Sequence, residues 1–281
     1  MEKNKILFGI VCFREKYWET QSFNDLINSY ESFIRSDKEL NIYIYDNTDR
    51  NDWIEPLLKS EKTLKISYYH NPKNEGISAA FNHFSFFANM NNFKWLVFLD
   101  QDTKLPIDFF EKYFYKSISS KPEKIIFPKI FSNNQLISPS KYVYYRTKPI
   151  DLENRKKIEI NNITAINSGL MIETAFFLKA GGYNKRLRID FCDHDFIARL
   201  NNKNIFAGLL NISLKQNFSA ETDDKSKALA RYRLYVKDLK VFKEKKNSLL
   251  IFFRVDFPHL LKMTYMYKTF EFLKIRFNIK Q

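Results

Sequence analysis

Four short apolar runs, at residues 6–13, 40–45, 64–70 and 95–99, constrain the fold of this chain more than any other feature. Each is bounded by polar or turn-forming residues and has the length and side-chain character of a buried strand. Helical-period segments alternate with them. Residues 23–34 place Phe23, Leu26, Ile27, Tyr30, Phe33 and Ile34 on one face, and residues 77–89 follow the loop 71–76 as a second helix. Apolar strands alternating with amphipathic helices give an α/β fold with a mainly parallel sheet flanked by helices. Ligands of such sheets bind beyond the carboxyl ends of the strands. Asp46 and Asp100 both fall there, directly after a strand.

The second half continues the pattern less regularly. A strand is expected at 125–131, then a polar, Lys-rich insertion through residue 157, a strand at 163–172, a short helix at 174–180 and a helix with an acidic start at 190–201. Residues 225–246 read as an amphipathic helix, with Leu229, Tyr232, Val236, Leu239 and Phe242 on one face. The 281 residues thus divide into an expected α/β domain, 1–222, with a regular first half, 1–104, and a less regular second half, 105–222, and a helical basic tail, 223–281. The 28 Phe and 16 Tyr suffice for a sizeable core, whereas only 6 Gly are present, and no Gly-rich phosphate loop of the dinucleotide-binding or P-loop kind occurs. A nucleotidyltransferase is disfavoured for the same reason, because Phe13-Arg14-Glu15-Lys16 supplies no such loop after the first strand. Cys12 and Cys192 sit in apolar runs and read as two buried thiols in a reducing compartment.

The net charge of +14 is uneven: residues 225–281 hold 15 Lys and Arg against 4 Asp and Glu, a net of +11. A basic tail points to an anionic surface. Phe252, Phe253, Phe257, Leu260, Leu261, Tyr265, Tyr267 and Phe270, interleaved with Arg254, Lys262, Lys268 and Lys274, fit an interfacial amphipathic element on an anionic membrane, or a helical pair packed on the core. Nucleic acid is not the expected partner, since carboxylates at strand ends repel phosphate unless a metal intervenes. The apolar start is too short for a signal peptide and has no cleavage site, and no run approaches the roughly 18 uncharged residues of a membrane span. The expectation is a cytoplasmic protein, peripheral on the inner face of the cell membrane.

Asp100 and Asp102 flank Gln101 at the end of an apolar strand. Hard carboxylate oxygens so placed suit Mg²⁺ or Mn²⁺ against a diphosphate; the plain alternative is a turn that caps the next element. Asp46 reads as an acceptor for a base N–H or ribose hydroxyl, or as an Asx turn. Asp190, Asp193 and Asp195 lie together in a segment with apolar flanks, and clustered carboxylates suit one of them to general-base work; the alternative is an acid-decorated helix start. Asn167-Ser168-Gly169 reads as a small-residue approach to a donor sugar or as a strand irregularity. His83 and His194 carry no assignment.

Taken together, these segments resemble the family 2 glycosyltransferases of the GT-A fold, in particular the rhamnosyltransferase-like branch that builds bacterial surface polysaccharides. The likeness runs over residues 6–245. Ile10-Val11-Cys12-Phe13-Arg14-Glu15 stands at that family's first strand and nucleotide loop, and Asp46-Asn47-Thr48-Asp49 at its Asp-Asn-x-Ser turn. The segment from Asn71 to Asn82 is similar to its Asn-x-Gly-x-x-x-Ala-x-Asn helix start, and Leu99-Asp100-Gln101-Asp102-Thr103 to its metal motif. Asn167-Ser168-Gly169, Gly181-Gly182-Tyr183 and the segment 189–196 follow in the family's order. The resemblance implies that Phe13, Arg14, Glu15, Asp46, Asn74, Gly76, Asn82, Asp100, Gln101, Ser168 and Gly169 bind a nucleotide-sugar donor, UDP- or dTDP-linked. It implies Asp102 with Asp100 on the metal, Asp193 as the general base of an inverting transfer, and Asp190 and Asp195 on the side of a carbohydrate acceptor that is lipid-linked or a growing polysaccharide. Two positions depart from the pattern. Cys12 and Arg14 stand where Thr and Asn are usual, and Gln216 stands where many relatives have a metal-holding His. Gln216 is therefore a further candidate ligand, and its presence keeps open a second reading, a non-catalytic relative in a polysaccharide assembly complex.

Overall fold

The computed structural model describes residues 5–33, 38–50, 63–201, 203–216, 224–244 and 246–278. The expected helix end at Ile34 and the domain boundary at 222–223 lie outside the described residues. The first half holds β1 (Ile6–Cys12), α1 (Gln21–Ser32), β2 (Leu40–Asp46), β3 (Leu64–His70), α2 (Ile77–Met90) and β4 (Trp95–Asp100). These match the sequence expectation closely. Then come α3 (Phe109–Ser117), β5 (Ile125–Ser132), β6 (Gln135–Ser138), β7 (Ser140–Val143), β8 (Arg146–Lys148), β9 (Lys157–Glu159), β10 (Ile163–Thr164) and β11 (Met171–Glu173). The chain continues through α4 (Thr174–Lys179), α5 (Cys192–Ala198), β12 (Phe206–Lys215), α6 (Lys225–Lys243), α7 (Ser248–Ile251), α8 (Phe257–Met266) and α9 (Glu271–Phe277).

The main sheet has the order β3-β2-β1-β4-β11-β5-β12-β9, with β6 on β5. The first four strands are mutually parallel, β11 enters antiparallel between β4 and β5, and β12 runs parallel to β5. Two sequence expectations change here. The single strand expected at 163–172 is split, because Gly169 takes a left-handed backbone (φ 75°). Its N–H donates to the Phe98 carbonyl at 2.7 Å, and its carbonyl accepts from the Tyr113 hydroxyl at 2.6 Å. The polar insertion is also structured, and its β7 and β8 join β10 in a three-stranded antiparallel sheet. Helix α3 and strand β12 escaped the sequence reading altogether.

Alternation along the parallel strands sends their side chains to two faces. On one face Phe8, Ile10, Ile42, Ile44, Val97 and Leu99 pack under Phe23 and Leu26 of α1 and Phe109, Phe110 and Tyr113 of α3. On the other, Leu7, Tyr43, Leu96 and Phe98 meet Phe81 and Phe84 of α2, Phe177 of α4 and Phe196 of α5. Gly9 lets α2 come this close, since a Cβ there would lie 2.4 Å from Phe84 Cδ2. Both cysteines are free thiols and buried, as the sequence suggests.

Helix α6 buries Ala228, Leu229, Tyr232, Val236, Leu239 and Phe242 in the second of these cores, joined there by Ile251, Leu260, Met263 and Phe272. The tail therefore shares its core with the sheet, and Leu260, read from sequence as part of an interfacial surface, is an interior residue. A buried ion pair fastens it. Asp256 is fully enclosed, and Arg276 Nε donates to its two oxygens at 2.9 and 2.8 Å. Replacing one partner strands the other charge in the interior. Arg276→Leu should cost about 3–5 kcal/mol, read as a lower Tm and as amide exchange that quickens first in residues 257–277.

Candidate functional site

The register of the parallel strands sets the site. Val11 lies beside Asp100 and Cys12 beside Asp46, so the loops after β1, β2 and β4 emerge side by side at one edge of the sheet. Asp46 is 1 % exposed; its Oδ1 accepts from the Thr48 N–H and its Oδ2 from the Tyr68 hydroxyl, both at 2.8 Å. The Asx turn is thus formed. Asp46 supports the loop after β1 through it: Thr48 Oγ1 accepts from the Arg14 N–H at 2.8 Å, holding Arg14 in a left-handed conformation. Gln101 ties the same loop to the acidic strand end. Its Oε1 accepts from the Phe13 N–H and its Nε2 donates to Glu15, each at 2.6 Å.

Asp100 is the junction. Its Oδ2 accepts from Ser168 Oγ at 2.6 Å and from Gln216 Nε2 at 3.0 Å, and Thr103 Oγ1 donates to Ser168 at 3.0 Å. Ser22, on α1, donates to the backbone carbonyls of Asp100 and Thr103. Segments distant in sequence, at 22, 100–103, 168 and 216, therefore meet. Burial raises the Asp100 pKa, the bonds from Ser168 and Gln216 oppose that, and the negative charge of Asp193 adds to it. Asp193 is accordingly an electrostatic neighbour of the strand end. The Asp102 carboxyl is pushed up to about 6, first by burial and then by the charges of Asp100 and Glu15. Glu15 is raised as well, by burial and by Glu19. A concentration of acids that all resist ionisation is one that a cation would relieve.

The fit to a divalent metal rests on the donor set. Among the described residues no group of three or more His, Cys, Asp or Glu is arranged to hold an ion. Gln216 Oε1, however, is buried without a hydrogen-bond partner, an oxygen acceptor beside a carboxylate cluster. Hard oxygen donors of this kind suit Mg²⁺ or Mn²⁺ if ligand oxygens complete the shell.

Several of the expected donor-binding residues also have a scaffold role. Asn82 Nδ2 donates to the Tyr183 carbonyl at 2.9 Å and its Oδ1 accepts from the Tyr183 N–H at 2.8 Å, so both ends of the amide clamp another loop. Gly76 (φ 92°) is required by the backbone of Arg188, whose carbonyl oxygen would lie 2.3 Å from an added Cβ. The carbonyl of Asn74 accepts from the Arg188 guanidinium. Gly169 has an interior reason to be small, because the side chains of Leu214, Pro128 and Tyr113 crowd it.

The acidic segment begins with Phe191 in a left-handed conformation (φ 66°), its ring stacked on Phe242 of α6 at 4.5 Å. Asp193 Oδ1 accepts from the His194 N–H at 2.7 Å, and its side chain keeps 17 % exposure. The flanking acids are neutralised. Asp190 takes two bonds from Arg231, at 2.5 and 2.8 Å, and Asp195 meets Arg199 at 3.2 Å and Lys246 at 3.0 Å. Of the three acids, Asp193 is thus the one that pairs with no Lys or Arg among the described residues. His194 stacks on Tyr142 at 4.9 Å and hydrogen-bonds with Thr164, a structural role.

A model of glycosyl transferase family 2 matches residues 9–181. The chain belongs to that family. Asp190, Asp193, Asp195 and Gln216 lie beyond the matched segment. No curated protein matches the sequence. Among solved structures, TarS 1–349 of S. aureus in complex with UDP superposes with a TM-score of 0.50 at 12% identity, over 84% of this chain and 65% of that one. GalNAc-T7 with UDP, GalNAc and Mn²⁺ gives 0.51 at 13% identity, over 94% and 58%. The mannosyltransferase PcManGT from Pyrobaculum calidifontis with GDP-Man and Mn²⁺ gives 0.50 at 11% identity, over 94% and 72%. Identities this low speak to the fold, which is the GT-A glycosyltransferase architecture, and the chain spans less than two thirds of TarS.

Asp238 was missed in the sequence. It is an acid on the buried stripe of α6, 1 % exposed, and accepts from the N–H groups of Arg188, Ile189 and Asp190 at 3.0, 2.8 and 2.8 Å. Its position between Tyr235 and Leu239 in an apolar helical stripe was the available signal. Asp238→Ala leaves three donors without their carboxylate and should lower stability by about 2 kcal/mol or more, with amide protection at 188–190 lost before the global transition.

Proposed function

We propose that this family 2 glycosyltransferase carries out an inverting, metal-dependent transfer from a UDP- or dTDP-sugar to a hydroxyl of a carbohydrate acceptor, lipid-linked or part of a growing surface polysaccharide. The observation that carries the reading is the acid cluster of Glu15, Asp100 and Asp102 beside the partnerless oxygen of Gln216. Asp102 and Gln216 would hold the ion, with Asp100 behind them. When bound, Mn²⁺ or Mg²⁺ supplies neutralisation of the charge that builds on the departing diphosphate. The Mn²⁺ present with GalNAc-T7 and PcManGT supports the same choice of metal.

The chain's own residues have separate tasks in this scheme. Phe13, Arg14 and Glu15, braced by Asp46, Thr48 and Gln101, flank the nucleoside. Ser168 and Gln216 orient Asp100. Asp193 accepts the proton of the acceptor hydroxyl as that oxygen bonds to the anomeric carbon and the bond to the diphosphate oxygen breaks. Inversion follows from attack opposite the leaving group. Asp190 and Asp195, each held by cations, fix the segment on which Asp193 sits.

Removing the base should cost roughly 10²–10⁴ in kcat, so Asp193→Asn should be nearly inactive and yet keep the donor-induced rise in Tm. Wild-type turnover in that variant refutes the assignment. Screening UDP-, dTDP- and GDP-sugars for Mn²⁺-dependent thermal stabilisation identifies the donor, because a ligand at 100 times its Kd adds about 2.7 kcal/mol. Asp102→Asn should remove the Mn²⁺ dependence of that shift. A panel that gives no shift with any donor and either metal defeats the proposal.

A further inference from the structure

Residues 248–266 form one helical rod, α7 running through a π turn, Phe252–Asp256, into α8. Every fourth residue along it is large, apolar and turned to solvent: Leu249 72%, Phe253 64%, Phe257 40%, Leu261 51% and Tyr265 85% exposed. In a plain α-helix residues four apart drift by roughly 40° per step, which over this length would wrap such a row around the rod. The π turn is wound more loosely and takes back part of the drift. The opposite side, with Ile251, Asp256, Leu260 and Met263, is buried in the core, so the ridge is fixed in orientation. Eight of the nineteen large apolar side chains exposed among the described residues lie between 249 and 277. That concentration exceeds what scattered surface hydrophobics produce and marks an interaction surface.

Charge decides the occupant. Arg254 and Lys262 each follow a ridge residue by one position, and Lys268 and Lys274 come after; from 257 to 278 the acids reduce to Glu271. Asp256 is enclosed and paired with Arg276. A second copy of this face would set cations against cations, whereas an anionic lipid surface complements them, with long side chains reaching to headgroups while the rings enter the acyl boundary. No helix among the described residues is long and apolar enough to cross a membrane, so the rod would lie in the plane of the surface.

We infer that the ridge Leu249-Phe253-Phe257-Leu261-Tyr265, with its flanking cations, docks the protein flat on an anionic bilayer. The test is sedimentation of the full chain with vesicles of phosphatidylcholine alone and with about 30% phosphatidylglycerol. The wild type should pellet with the anionic vesicles and be released by high salt. A variant carrying Leu249→Ser, Phe253→Ser, Leu261→Ser and Tyr265→Ser alters only exposed positions; it should keep its Tm and partition at least about tenfold less. Wild-type protein that stays in the supernatant at low salt overturns the inference, as does equal partition of the two proteins. So does a wild-type dimer that the variant splits without either binding vesicles, which would make the ridge a self-association surface. Donor-induced thermal shifts are independent of this assay, so its failure leaves the proposed glycosyl transfer untouched.

Discussion

The hydrogen bonds that converge on one oxygen of Asp100 hold the site together. Ser168 comes from the bend that interrupts two strands, Gln216 from the end of β12 and Asp100 from the end of β4, and each lies far from the others in the chain. Without the antiparallel entry of β11 between β4 and β5, Ser168 would have no path to the carboxylate. The left-handed Gly169 is part of the same construction, because its peptide is bonded on both sides, to Phe98 and Tyr113, while Ser168 faces Asp100. Sheet topology, a glycine and a hydrogen-bond junction are thus a single arrangement.

Around that junction the acids divide into two populations by their neighbours. Asp190, Asp195, Asp238 and Asp256 are satisfied by guanidinium groups, an ammonium or a fan of backbone N–H donors, and they order the chain. Asp100, Asp102 and Glu15 are all raised by burial, and the charges of Asp100 and Glu15 add to that at Asp102. Buried carboxylates without a countercharge are costly unless something else binds there. The contrast separates architecture from chemistry without reference to any relative.

Where a segment's structure follows from its own periodicity, the sequence announces it. The first four strands, α2 and α6 are of this kind, because one face of each is continuously apolar. The split at Gly169 depends on partners remote in sequence, whereas β12 carries its own period-two signal, Leu210-Asn211-Ile212-Ser213-Leu214-Lys215, which the sequence expectation left out. The site shows the same division. Asp100 and Asp102 are legible because a polar pair closes an apolar run. Asn82, Gly76 and Gly169 fit a nucleotide-binding pattern in sequence, and the structure adds a packing role that no local pattern shows: Asn82 clamps the Tyr183 peptide, Gly76 admits the Arg188 backbone and Gly169 fits among the side chains of Leu214, Pro128 and Tyr113. In the tail, alternating aromatics and cations could be read either as interior or as surface, and the structure divides them, Leu260 inward and Leu261 outward.

The left-handed backbone of Phe191 limits where the molecule can be cut and how it can diverge. A bulky residue in that region carries a conformational cost of order 1–3 kcal/mol, and here the ring is kept on Phe242, which belongs to α6. Glycine or asparagine would accept the backbone angle freely but would remove the ring stacked on Phe242. The acidic loop and the C-terminal helices are consequently interdependent parts, and a fragment trimmed to the segment that defines the family, 9–181, would lose that loop together with the helices that give it its shape.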